Sequence, residues 1–193
     1  MTKLRVMLLD ESPGRTFTLV QAMEDAGYDV VARLENDDNL AEQVRQIAPD
    51  LIVLDMEKPG QQTMAHLKII SEEQPRPVVM FTEEDGETAI NEAVAAGVSA
   101  YIVDGLSPNR IRPIVEVAMA RFRQWNDLKS ELDETKSKLS QRKLIDKAKG
   151  IIMDKRGISE DEAYQALRRM AMDRSTSMVD TARNIIDVAE MLT

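Results

Sequence analysis

Short apolar runs alternate with amphipathic stretches along the first 115 residues of the chain. Apolar runs of this length are typical of buried strands, and apolar residues at every third or fourth position are typical of helices. The pattern therefore predicts an α/β fold, with a doubly wound sheet of five parallel strands joined by crossover helices. The predicted strands are residues 4–9, 29–34, 51–54, 78–81 and 100–103, and the predicted helices are residues 15–26, 40–47, 64–71 and 88–96.

The next stretch repeats apolar residues in steps of three and four, and no proline follows Pro113. Such a seam is typical of a coiled coil, so the spacing predicts a long helix that associates with a second copy of the chain. A helix that packs on its own domains is the alternative, because Arg121 and Thr135 interrupt the seam. The seam residues are Ile111, Ile114, Ala118, Trp125, Leu128, Leu132 and Leu139.

Turn and capping signals divide the C-terminal residues into three short helices that predict a small all-α bundle. Gly157 ends the first helix, and Ser159 with Glu162 forms a capping box for the second. Ser177 with Asp180 caps the third. The helices are residues 143–156, 160–172 and 178–192. The predicted core is Ile145, Ala148, Ile152, Ala163, Leu167, Met170, Ala171, Ala182, Ile185, Ile186 and Ala189. The chain thus divides into an α/β domain (1–115), a helical coiled-coil linker (116–142) and a helical domain (143–193).

Composition narrows the classes of function. The 193 residues include no cysteine, which excludes disulfides and thiolate zinc sites. The single histidine, His66, gives no support for a His-rich metal site or for a Ser–His nucleophile pair. No apolar run approaches the roughly 18 residues of a membrane helix, and the N-terminus shows no signal-peptide pattern. We therefore expect a cytoplasmic protein with no membrane partner.

Charge is divided unevenly along the chain. Residues 1–115 hold 10 basic and 20 acidic side chains, a net charge of −10, whereas residues 116–193 hold 15 and 14. Residues 136–174 alone hold 11 basic and 6 acidic side chains. This asymmetry favours an acidic control domain joined to an output domain that meets a polyanion, although mixed charge also solvates ordinary helices.

Polar residues follow the predicted strands where a doubly wound sheet places its functional crevice. In the flavodoxin-like strand order the first and third strands are neighbours, so Asp10, Glu11 and Asp55 would crowd together. Mg²⁺, which prefers oxygen ligands, would relieve their repulsion. For any one of these acids taken alone, a role as a cap for the next helix is the better explanation, but three of them at the correct strand ends favour a shared site. Thr82 ends the fourth strand and Asp104 the fifth.

These residues resemble the receiver domain of two-component response regulators. LLDE matches its acidic pair, LIVLDMEKPG its phosphoacceptor segment, MFT its hydroxyl and AYIV its aromatic switch position. The resemblance implies that Asp55 is the phosphoacceptor and that Thr82 and Tyr101 are switch residues. One position departs from the family, because Asp104 stands where the family has a Lys followed by Pro. A carboxylate there would repel a phosphoryl group, so we expect an atypical receiver controlled mainly by a protein partner.

The C-terminal segment resembles the ANTAR family of RNA-binding antiterminator domains, through AKGIIM, Gly157 and EAYQALRRMAM. With VDGL in place of Lys-Pro, the whole chain most resembles NasT-type regulators of nitrate and nitrite assimilation. The resemblance implies a transcription antiterminator that stabilises a leader RNA with two adjacent hairpins and prevents a terminator from forming. It also implies a nitrate-sensing partner of the NasS type, and two hairpins favour a homodimer on the RNA.

Six residues are the candidates for RNA contact. Cationic side chains bind phosphates, and an aromatic ring stacks on an unpaired loop base. Packing in the helical bundle explains the tyrosine about as well as contact with RNA does. Any one of the cations taken alone is also explained as a solvated surface side chain. The candidates are Lys143, Lys147, Lys149, Tyr164, Arg168 and Arg169.

Three other functions remain open. A phosphohydrolase with Asp55 as nucleophile is disfavoured, because the sequence has no Gly-rich phosphate loop and no second carboxylate two residues on. We therefore expect no enzyme activity. A phosphorylation-activated regulator with a DNA-binding output is the stronger alternative. A module that only sequesters a partner protein is the third.

Overall fold

The computed structural model describes residues 3–11, 13–37, 39–103 and 108–191, with side chains outside residues 13–18 and 108. The chain forms two compact units, Met1–Asn126 and Asp127–Thr193. Among the described residues, no helix combines the length and the apolar character needed to cross a membrane.

The first unit is a five-stranded sheet with helices on both faces, as the sequence predicted. Every neighbouring pair of strands is parallel, in the order β2-β1-β3-β4-β5. Its elements are β1 (Arg5–Asp10), α1 (Pro13–Asp25), β2 (Asp29–Leu34), α2 (Leu40–Ile47), β3 (Leu51–Met56), α3 (Gln61–Glu73), β4 (Val78–Thr82), α4 (Glu87–Ala95), β5 (Ala100–Val103) and the 3₁₀ turn Pro108–Arg110.

Two apolar layers hold the sheet, because successive strand residues point to opposite faces. In β1, Met7 and Leu9 pack with the layer that includes α2, α3 and α4. Val6 and Leu8 pack with the layer that includes α1 and the start of the long helix α5 (Ile111–Arg156). β3 extends two residues beyond its predicted end, because its pairing with β4 continues through Asp55 and Met56.

The long helix α5 corrects two expectations. It runs without a break for 46 residues, so the prediction of a separate helix starting at residue 143 was wrong. No proline or glycine signal stood between the two predicted segments. In addition, Ile111 and Ala118 are fully buried and Ile114 partly buried in the α/β core. The solvent-exposed part of the predicted seam therefore begins at Trp125.

In the second unit, α6 (Glu160–Asp173) and α7 (Met178–Met191) pack with the last turns of α5. Gly157 has a φ of 64° and follows the end of α5, the left-handed conformation that favours glycine at a helix C-terminus. The predicted capping box at Ser159 is present, and the Asp180 N–H donates to the Ser177 hydroxyl. The core is built around Ala148, Ile152, Ala163, Leu167, Ala182 and Ile186, which were predicted, and Ala166, which was not.

Candidate functional site

Two buried carboxylates lie side by side at the carboxyl end of the sheet. Asp10 is the last residue of β1 and pairs in register with Asp55 of β3. The two residues are 2% and 7% exposed. The backbone N–H of Glu11 donates to the carbonyl oxygen of Asp55 over 3.3 Å, which fixes the third acid beside the pair.

Several further carboxylates crowd around this pair. Partial burial raises the pKa of Glu11, and the carboxylates of Asp37, Glu57 and Asp10 raise it further. Such crowding favours a proton or a cation. Within the described ranges, however, no three His, Cys, Asp or Glu side chains are arranged to hold a metal ion. Mg²⁺ binding by Asp10, Glu11 and Asp55 stays a prediction.

Thr82 and Tyr101 belong to a chain of hydrogen bonds beside the carboxylates. The Thr82 hydroxyl donates to the Glu57 carbonyl over 2.9 Å and accepts from the Glu84 N–H over 3.2 Å. The Tyr101 hydroxyl donates to the Glu84 carbonyl over 2.8 Å. Burial raises the pKa of Tyr101, so the phenol remains a donor at neutral pH. These bonds connect the loops after β3 and β4 to β5. The third predicted switch residue, Asp104, lies outside the described residues.

In the second unit, two of the predicted RNA-contacting lysines have acidic partners. The Lys149 ammonium lies 2.8 Å from Asp146 and 2.6 Å from Glu160, and its side chain is 13% exposed. Hydrogen bonds to both carboxylates raise its pKa. Lys147 lies 2.7 Å from Glu190. These pairs connect α5 to α6 and α7, and a role for either lysine at a phosphate stays a prediction.

The other candidates remain accessible. Tyr164 and Arg168 are exposed and lie one turn apart on the same face of α6. Arg169 is adjacent, and Lys143 is exposed on α5. In the part of the chain that the structure describes, the three cations have no hydrogen bond or ion pair. They are therefore available for an anionic partner.

Sequence reasoning missed a groove of about 380 Å³ in the same unit. Ile151, Ile152, Met170, Ile185, Val188 and Ala189 provide its apolar surface. Lys155, Arg156, Arg174 and Asn184 also line it. None of the three cations has an ion pair among the described residues. In the sequence they are only basic residues at the ends of α5 and α6, where cations commonly stabilise helix termini, and only tertiary packing brings them together.

Together, the parallel sheet, the paired carboxylates after neighbouring strands, the hydroxyl on β4 and the aromatic residue on β5 define a receiver module of phosphotransfer signalling. The comparison with protein families agrees. The chain belongs to the response regulator receiver domain family, which it matches over residues 6–116. Residues 133–186 match the ANTAR domain. Both family resemblances inferred from the sequence are thus confirmed.

Relatives share this combination or parts of it. The transcriptional regulatory protein PdtaR of Mycobacterium tuberculosis is 27% identical over 183 residues, covering 95% of this chain and 89% of that protein. The nitrate regulatory protein of Klebsiella oxytoca is 34% identical over 85 residues, 44% of this chain and 22% of that protein. Among solved structures, the receiver domain of NarL from M. tuberculosis superposes with a TM-score of 0.55 at 21% identity, covering 62% of this chain and 98% of that one.

Proposed function

We propose that this chain is an RNA-binding transcription antiterminator that stabilises a leader RNA with two adjacent hairpins. The supporting observation is an ANTAR domain in which several exposed cations, Lys143, Arg168 and Arg169 among them, have no acidic partner within the described residues, in a chain that is otherwise strongly acidic. Stabilised hairpins would compete with a downstream terminator hairpin and allow transcription to continue. Binding and stabilising an RNA hairpin requires no covalent chemistry, so we propose no enzymatic activity. We also propose that the protein acts in the cytoplasm.

Two surfaces of the second unit suit the contacts that RNA loops offer. Phosphates attract the unpaired guanidinium groups of Arg168 and Arg169, and Tyr164 presents a ring on which an unpaired base can stack. The groove adds an apolar surface, the Asn184 amide and three further cations. Amides read base edges, and apolar walls hold a base removed from its stack. We therefore place RNA contacts on both surfaces.

Homodimerisation would match two ANTAR domains to two hairpins. Trp125, Leu128, Leu132 and Leu139 are between 46% and 59% exposed, and they repeat at the steps of a heptad seam. An apolar stripe of this kind is covered when a second copy of α5 pairs with it. Linked domains would raise RNA avidity by about 100-fold or more without new contacts.

Control by a protein partner is the second part of the proposal. Asp10, Glu11 and Asp55 would supply the carboxylate oxygens that Mg²⁺ prefers, and the neighbouring carboxylates, which add to the effect of burial in raising the pKa of Glu11, support a cation here. Bound Mg²⁺ would neutralise these acids and coordinate phosphoryl oxygens. Asp104, in place of Lys, removes the cation that would pair with such a group. A nitrate-sensing partner of the NasS type, as in NasT-type systems, is therefore the proposed source of control.

The test begins with the purified, unphosphorylated full chain and a library of two-hairpin RNAs with randomised loop bases. We expect enrichment of a defined loop sequence. The selected RNA should bind more tightly than the same RNA with scrambled loops and than duplex DNA of matched length. Preference for duplex DNA would support the DNA-binding alternative. Equal binding to the selected RNA, the scrambled RNA and the duplex DNA would show that the basic residues attract nucleic acids only non-specifically.

A further inference from the structure

We propose that the α/β unit contains a second binding site, for a small organic anion with an aromatic or other planar apolar body. The site is a cleft of about 720 Å³ lined by residues of α3, α4, β5 and α5 and of the segments that precede β4 and β5. Ser99 directly precedes β5 and lies at the amino end of the sheet. The paired carboxylates lie at the opposite, carboxyl end, so the cleft is separate from the phosphoacceptor pocket.

The charge of the lining indicates an anionic ligand. Residues 1–115 carry twice as many acidic as basic side chains, yet the cleft is lined by Arg76 and Arg121 and by no carboxylate. Among the described residues, neither guanidinium has a hydrogen bond or an ion pair. The Nε of Arg76 is buried and unsatisfied, a state that costs free energy unless a partner is supplied. A carboxylate, sulfonate or phosphate would satisfy both groups with charge-assisted hydrogen bonds.

The rest of the lining indicates that the ligand is more than an inorganic ion. Ile90, Val94 and Val98 are apolar, and Phe122 and Trp125 add aromatic surface. The volume lies within the roughly 300–1,000 Å³ of typical small-molecule sites, which combine apolar walls with a few polar groups. Inorganic phosphate or nitrate would leave most of this surface in contact with water. A planar organic anion fills the cleft and pairs with the arginines.

Occupation of the cleft would also reach the switch residues. Tyr101 lines the cleft, and its hydroxyl holds the Glu84 carbonyl in the loop after β4. The next hydrogen bond in that loop connects Glu84 to Thr82. A ligand that contacts the Tyr101 ring would therefore favour one position of the loop after β4 over another. The shift in this equilibrium equals the difference in the ligand's binding free energy for the two loop positions.

The experiment uses the only tryptophan of the chain, Trp125, as an internal reporter. The full chain, labelled with ¹⁵N, is titrated with 2-naphthoate and separately with 2-naphthol, which is neutral at pH 7. We expect 2-naphthoate to shift the single indole N–H resonance saturably, and 2-naphthol to bind at least tenfold more weakly. Arg76→Gln and Arg121→Gln should each weaken 2-naphthoate binding by about tenfold, the effect of one lost charge-assisted contact.

Arg123→Gln is the matched control, because Arg123 is exposed on the same helix and does not line the cleft. It should leave the affinity for 2-naphthoate unchanged. The proposal is overturned if no saturable shift occurs, if 2-naphthol binds as tightly, or if Arg121→Gln behaves like the control. Because Trp125 also belongs to the seam of α5, every titration is made at one fixed protein concentration, so that dimerisation does not contribute to the shift. None of these outcomes depends on RNA binding.

Discussion

Ser159 shows how one residue determines where a helix begins. Its hydroxyl accepts from the Glu162 N–H, and the Glu162 carboxylate accepts from the Ser159 N–H over 2.9 Å. These bonds satisfy backbone donors that the first turn of α6 leaves free. The hydrogen bonds from Ser159 also lower the pKa of Glu162 below its usual 4.5.

Removing this cap should destabilise the second unit. We expect Ser159→Ala to lower the free energy of unfolding by about 1 kcal/mol, measured by urea denaturation followed by circular dichroism. Ser140→Ala, at an exposed position within α5, is the control and should be close to neutral. Equal effects of the two substitutions would contradict a specific capping role.

The lowered pKa of Glu162 gives this cap a pH dependence. A carboxyl with a lowered pKa in the folded state stabilises the fold above its unfolded value and loses this contribution as the pH falls through the folded value. The second unit should therefore lose stability progressively below about pH 4.5. In thermal unfolding over a pH series, Glu162→Gln should reduce that dependence. An unchanged pH profile would show that other carboxyls dominate.

A comparison of two lysines of α5 distinguishes a structural role from a role in RNA binding. Lys149 joins Asp146 and Glu160, whereas Lys143 is exposed and has no ion pair among the described residues. We expect Lys149→Ala to lower the thermal unfolding temperature. Lys143→Ala should leave that temperature unchanged, weaken binding of the selected RNA and reduce its salt dependence by about 0.7 in logarithmic slope. If Lys149→Ala weakened RNA binding and left the unfolding temperature unchanged, Lys149 would be an RNA-contacting residue and not a structural one.

At the scale of elements, the strands were predictable because each is a short apolar run bounded by polar residues and turns. The pairing of Asp10 with Asp55 was predictable once the strands were known, because parallel strands bring their carboxyl ends to one edge of the sheet. The division of α5 at residue 143 was wrong, because no proline or glycine stands between the two predicted helical segments and the helix continues where nothing ends it. The groove of the second unit was not predictable, because Lys155 and Arg174 approach each other only through packing of three helices.

The exposed stripe on α5 leads to a prediction about self-association. Leu132→Asp places a charge in the seam and should convert a dimer to a monomer in sedimentation velocity measurements. It should also reduce affinity for the two-hairpin RNA by about 100-fold, while affinity for a single hairpin is retained. Ser130→Asp, an exposed position outside the seam, is the control. A wild-type chain that stays monomeric with and without RNA would contradict the prediction.

At the scale of the whole molecule, the chain combines an acidic receiver with an output domain that is locally basic. The receiver retains buried Asp10 and Asp55, with Thr82 and Tyr101 bonded to the loops beside them. Among its described residues the ANTAR unit leaves several cations without an ion pair, and α5 contributes residues to both units. The distribution fits a regulator in which control and RNA binding are separate tasks.

The central claim is that the unphosphorylated chain binds RNA hairpins and thereby prevents termination. Its most direct test is transcription by purified RNA polymerase on a template that carries the selected hairpins upstream of a terminator. We predict that the full chain raises read-through without a phosphodonor, and that a variant with Arg168→Ala and Arg169→Ala does not. Read-through that stays at the basal level while the RNA is saturated, or that rises only with acetyl phosphate present, would contradict this account.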